Sequence, residues 1–142
     1  MNWLIEALKR ARNSTVKRVK DLTEVQLDWH SADKISIRDI AWHIAECDLA
    51  AIKPLKPDLE FDDRLYPDLA ERKSKEVVLE YLEDQLKLKC DIIAANLNRL
   101  NEKTAHESYG SITIGEHIIA HGIDHEAHHR GQITLIRKEN HV

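Results

Sequence analysis

Residues 110–137 read GSITIGEHIIAHGIDHEAHHRGQITLIR, and they hold five of the chain's nine histidines. Four of them, His117, His121, His125 and His129, recur at every fourth position. Such a repeat keeps side chains near one side of an α-helix. Thr113 and Glu116, three apart, form a capping box that opens this helix, and the apolar pattern carries it to about Lys138. Counting 100° per residue from His125, Ile118 and Ile136 fall about 20° to one side, Ile114 and Gln132 about 20° to the other. His125 is then central on the core-facing stripe. His129 lies at about +40°, His121 at about −40° and His117 at about −80°.

Several imidazoles in a core are costly. Protonated, they repel and must be desolvated; neutral, each needs a partner. Hydrogen bonding satisfies a lone buried histidine, whereas a metal ion satisfies a group of them, because neutral imidazole is a good ligand. Residues at i and i+4 rise only about 6 Å and can chelate together, but His117 and His129 are about 18 Å apart along the axis. The chelating pair is therefore His125 with His129, or His121 with His125. A third ligand has to come from another helix. His43, in IRDIAWHIAECD, is the only histidine of that segment, at the edge of the apolar side made by Ile37, Ile40, Ile44 and Ala51. Asp39, Glu46 and Cys47 flank it at helical spacing. Gly122 and Gly131 inside the last helix each cost about 1 kcal/mol relative to Ala, which close approach of a neighbour would justify. A glycine merely tolerated there is the simpler reading of one of them.

The rest of the chain supplies a bundle. The 142 residues are 42% hydrophobic and 32% charged, with four Gly and three Pro, a globular helical composition that suits one domain. Leu4, Leu8, Ala11, Val19 and Leu22 predict a first helix over about residues 2–20. Lys9, Arg10, Arg12, Lys17, Arg18 and Lys20 line its polar side. A solvated face explains them better than an anion-binding patch, since no aromatics are interleaved. Ser36 opens a second helix, with Asp39 in the capping-box position, and Pro54 and Pro57 stop it. The connection 54–73 is long enough to join parallel as well as antiparallel helices. A third helix from about Ser74 to Asn101 turns Val78, Leu82, Gln85, Leu86, Ile92, Ile93, Leu97 and Leu100 inward. The loop NEKTAHESYGS leads into the last helix. Nothing reads as a strand, so the expected fold is an all-α four-helix bundle.

Function classes narrow accordingly. A net charge of −4 argues against general affinity for nucleic acid or anionic membrane. No apolar run is long enough to span a bilayer, and MNWLIEALKRAR does not read as a signal peptide. Cys47 and Cys90 form no CxxC pattern and read as reduced thiols of a cytoplasmic protein. His125-Glu126-Ala127-His128-His129 matches H-E-x-x-H. However, no third-ligand motif of the metzincin type follows, no strand presents a peptide, and Glu126 points about 100° from His125, towards the helix flank. A di-iron carboxylate centre needs two E-x-x-H motifs, and only Glu126–His129 is present.

DHEAHHRGQITLIR, preceded by TIGEHIIAH, resembles the C-terminal signature of the DinB/YfiT-like metal-binding superfamily. LTEVQLDWHSADKISIRDIAWHIAECD is similar to its second-helix region, and the likeness spans roughly residues 15–138. The resemblance implies a bundle in up-down-down-up order, in agreement with the long 54–73 crossover. It implies a metal triad of His43, His125 and His129, leaving His121 and His128 to surrounding or packing roles. It further implies zinc or nickel, with iron or manganese as other occupants, and a homodimer. The leading activity implied is metal-dependent transfer of a low-molecular-weight thiol, such as bacillithiol or mycothiol, to an electrophilic small molecule; other relatives are maleylpyruvate isomerase-like enzymes or have no known activity. A metal-bound thiol becomes a thiolate. Asp39, Glu46 and Gln132 are candidates for orienting the bound group, although Asp39 and Glu46 read more simply as solvated helix carboxylates. Cys47 is a candidate fourth ligand but reads more simply as a small core residue, and Arg130 pairs either with a carboxylate of the cofactor or in a surface salt bridge. The alternative is a non-catalytic metal-binding or sensing module; the remaining one is a helical protein without metal. Ile123 and Ala127, expected to lean outward, agree with a dimer.

Overall fold

A computed structural model describes residues 2–32, 34–59 and 73–142. Four long helical segments build it: α1 (Trp3–Val19), α3 (Ile37–Ile52), α4 (Lys75–Ala94) and a last segment made of α5 (Ile114–Ile119), a π turn (Ala120–Asp124) and α6 (His125–Glu139). A one-turn helix, α2 (Glu24–Leu27), precedes α3. The starts follow side-chain chemistry. Asn2, Ser36 and Ser74 accept from the first free N–H groups of α1, α3 and α4, and the expected Thr113–Glu116 box caps α5. A second such box, Thr23 with Gln26, caps α2.

Helix directions follow from who touches whom. The Arg38 guanidinium donates to the Lys73 carbonyl, Trp42 stacks on Tyr81 and Lys89 binds Asp48, so α3 and α4 run parallel. Arg130 reaches the carbonyl of Ala11, and Arg137 that of Arg18, so α6 runs parallel to α1. His43 faces His129 while His117 reaches Ala50, so the last segment is antiparallel to α3. The order is up-down-down-up. Most of the 54–73 crossover that links the two parallel helices lies outside the described residues.

Three elements depart from the sequence reading. The loop after α4 carries a two-stranded hairpin: β1 (Lys103–His106) pairs antiparallel with β2 (Gly110–Thr113), and Gly110 takes a φ of +72° at the turn. Four-residue strands are too short for alternation to show. The third helix ends at Ala94 instead of Asn101, and Leu97, expected inside, is exposed on a following 3₁₀ turn. The last helix is not uniform, because of its π turn.

Two apolar clusters make the core: Val19, Leu22, Ile40, Ile44, Leu82 and Ile136 lie in one, Leu4, Leu8, Leu49, Ile52, Ile93 and Ile118 in the other. Ile123 packs partly buried against the second rather than leaning outward. Arg12, placed on a solvated face by the sequence, is 2% exposed. Its guanidinium binds Asp48 at 2.7 Å and Glu126 at 2.9 Å, and donates to the Leu82 carbonyl. Buried Lys89 also binds Asp48, so two cations meet two carboxylates across α1, α3, α4 and α6. A periodicity argument assigns charged positions to solvent and cannot see such mutual neutralisation.

Candidate metal centre

The two glycines of the last segment behave differently. A Cβ on Gly122 would meet Leu8 Cδ2 at 2.8 Å, with Lys89 Nζ and Ala51 Cβ close behind. To admit that atom the fully buried Leu8 side chain would have to shift, while Lys89 and Ala51 would stay in ordinary contact. Gly131 has open space around the same position, so it is the tolerated one. The buried residues Ile114, Ile118, Gly122 and Glu126 are spaced by four. Four residues exceed a 3.6-residue turn, so a regular helix would rotate this stripe steadily off the core. The wider π turn takes the rotation back; such turns are often found at functional sites.

This re-phasing corrects the helical count. His129 and His117 are buried, whereas His125 and His121 are half-exposed. Glu126 does point away from the histidines, but into the core and not to the helix flank. It accepts from Arg12 Nε and from Thr15 Oγ1 at 2.8 Å. A carboxylate held in that way is not the free base an H-E-x-x-H protease needs.

His43, His125 and His129 converge. Their ring centres lie 4.6 Å apart for His43–His129, 5.4 Å for His43–His125 and 4.4 Å for His125–His129. The Nε2 atoms of His125 and His129 are 2.8 Å apart. The Nδ1–H of His129 donates to Gln132 Oε1 at 2.7 Å, which leaves a lone pair on its Nε2. Neutral His125 must then donate its Nε2–H to that lone pair. Burial, then the neighbouring rings, pushes His43 and His125 down to about 4, and burial also lowers His129. The three rings are uncharged at neutral pH, and a cation held between the two Nε2 atoms would require the His125 proton to move to its Nδ1. This donor set fits a divalent metal ion.

Cys47 adds a fourth donor on the next turn of α3. Its Sγ is 3.5 Å from His43 Nε2, and donor atoms of His43, Cys47 and His125 all lie within 4.8 Å of one another. Burial, then Asp48 and Glu46, pushes its thiol up to about 12. The other candidates separate. Gln132 touches the site, while buried Glu46 accepts from Tyr81 Oη at 2.5 Å. Half-buried Asp39 sits in the first turn of α3, its backbone N–H bound to Ser36 Oγ. Arg130 donates to the Ala11 carbonyl of α1, and His128 is exposed beside His129. His121 leaves this group for another, with His106 and His117. No helical spacing points to His106, which lies on β1 of the hairpin.

The molecule is thus a parallel-and-antiparallel four-helix bundle with a histidine cluster between its second and last helices. The profile of the DinB superfamily matches residues 7–133, and the chain belongs to that superfamily. Among solved structures it is similar to a DinB-like protein from Bacillus cereus, with a TM-score of 0.78 at 16% identity, over 96% of this chain and 90% of that one. It is also similar to YfiT from Bacillus subtilis, with a TM-score of 0.72 at 17% identity, over 96% and 85% of the chains. YfiT is described as a probable metal-dependent hydrolase with an unusual four-helix bundle topology. At such identities the likeness establishes the fold. No curated protein matched.

Proposed function

We propose that the chain is a divalent-metal-dependent enzyme whose ligands are His43, His125 and His129. The observation that carries this is the facing Nε2 pair of His125 and His129, with Gln132 holding the tautomer that ligation requires. His129 is preferred to Cys47 as third ligand because its Nε2 lone pair already faces the His125 ring and accepts a proton there, whereas the buried thiol resists losing its proton. Zinc and nickel suit three imidazoles best; iron and manganese are harder ions. A bound divalent ion acidifies a thiol or water held beside it. The resemblance favours a low-molecular-weight thiol as nucleophile and an electrophilic small molecule as acceptor; the description of YfiT favours water. For the chain's own residues, Gln132 fixes His129, and the buried surroundings of His43 keep its ring neutral.

The second reading is a non-catalytic metal-binding or sensing module. Cys47 favours it, because a fourth protein ligand would close the coordination shell.

Metal content, measured by elemental analysis, tests both readings. The His125→Ala/His129→Ala variant should carry one equivalent less than the unmodified chain. In the cobalt-substituted protein, an added small thiol should change the visible spectrum if the site is open. An unchanged spectrum, together with metal loss in Cys47→Ala, would move the assignment to the closed module. Equal metal in chain and variant would remove the site.

A further inference from the structure

The last helical segment carries a second histidine group that the proposed centre does not use. His106 comes from β1, His117 from α5 and His121 from the π turn. Ring centres are 4.4 Å apart for His117–His121, 5.2 Å for His106–His121 and 5.7 Å for His106–His117. One ligand nitrogen from each lies within 4.8 Å of the other two.

His117 is the decisive member. It is 8% exposed. Its Nε2–H donates to the Ala50 carbonyl at 3.0 Å, which fixes the tautomer and leaves a lone pair on Nδ1. That Nδ1 is buried with no hydrogen-bond partner among the described residues. A buried acceptor without a partner is costly, so its retention calls for an explanation. An imidazole whose far nitrogen is tied to a backbone carbonyl is the usual state of a metal-ligating histidine. His121 is held uncharged as well, burial pushing it down to about 4.

We infer that His106, His117 and His121 form a second site for a divalent transition-metal cation of the zinc, nickel or copper type, separate from the His43 centre. Three neutral imidazoles select such ions over magnesium or calcium, which require oxygen. The site would tie β1 of the hairpin to the last helical segment, whose first turn already bonds the chain just before the hairpin through Gly115 N–H to the Leu100 carbonyl. His106 is the ligand that has to adjust. Its Nδ1 accepts from the Ser108 N–H at 3.1 Å, so its proton sits on Nε2. Ligation through either nitrogen therefore breaks the Ser108 bond, by proton transfer to Nδ1 or by a half-turn of the ring.

Zinc binding to the metal-stripped full chain, counted by native mass spectrometry, tests this. The unmodified chain should take two zinc ions, and His106→Ala/His121→Ala one. His125→Ala/His129→Ala should retain one, bound with the second group intact. A single zinc lost in His106→Ala/His121→Ala and kept in His125→Ala/His129→Ala would support this site while removing the His43 centre. Undiminished uptake by His106→Ala/His121→Ala overturns the inference. Nuclear magnetic resonance of the unmodified chain avoids dependence on how the variants fold. Through two equivalents of zinc, the imidazole nitrogen signals of His106, His117 and His121 and the Ser108 amide should shift. If they stay unmoved, the inference fails.

Discussion

Gln132 and Arg12 are polar residues whose work is done through others. Gln132 accepts the Nδ1–H of His129 and so decides which nitrogen can bind a cation. Gln132→Leu should keep the fold but weaken metal binding at the His43 centre by about 10–100-fold, the usual cost of losing such an orienting partner. Competition with a zinc-sensitive dye would read this; unaltered affinity would mean that Gln132 does not set the tautomer. Arg12 has the opposite character, since it holds the bundle and touches no candidate ligand. Arg12→Ala leaves Asp48 and Glu126 buried with one cation fewer, a loss of about 3–5 kcal/mol. Urea unfolding measures it, and a loss under about 1 kcal/mol would show that water already screens the cluster.

In the last helical segment, Gly122 and Gly131 make a matched pair with different spatial demands. Gly122→Ala drives a methyl into Leu8 where α1, α3 and α4 converge, so it should destabilise by about 1–3 kcal/mol. Gly131→Ala meets open space and should stabilise by up to about 1 kcal/mol through helix propensity alone. Thermal melts of the two variants should move in opposite directions. Equal shifts would mean that the π turn can rotate Gly122 away from Leu8. The same turn explains why a regular helical count puts His125 at the centre of the buried face while the structure gives that place to His129.

Across the bundle, several imidazoles that are at least half-buried couple stability to pH. His43, His121 and His125 titrate at about 4 in the folded chain, against the ordinary value of 6.5. The unfolded chain therefore binds more protons between these values. Their contribution is fully present above about 6.5 and is lost as pH falls towards about 4. Metal-free protein should show a urea midpoint that drops steadily across this range, and a flat midpoint would mean that the rings are already charged and solvated.

Helix starts, apolar stripes, the parallel-capable crossover and the nearness of His43 to the last helix's histidines were legible in the chain, while singling out His125 and His129 drew on a family resemblance. Each of these is carried by residues near one another in sequence, where capping and periodicity act. The hairpin, the π turn, the burial of Arg12 and Lys89, the engagement of Glu126, and the meeting of His106 with His117 and His121 were not. They depend on which distant side chains neutralise or crowd one another once the helices pack. Glu126 is a flank residue until Arg12 arrives from 114 positions away. That partner is chosen by the sum of contacts across the core, which no local pattern records.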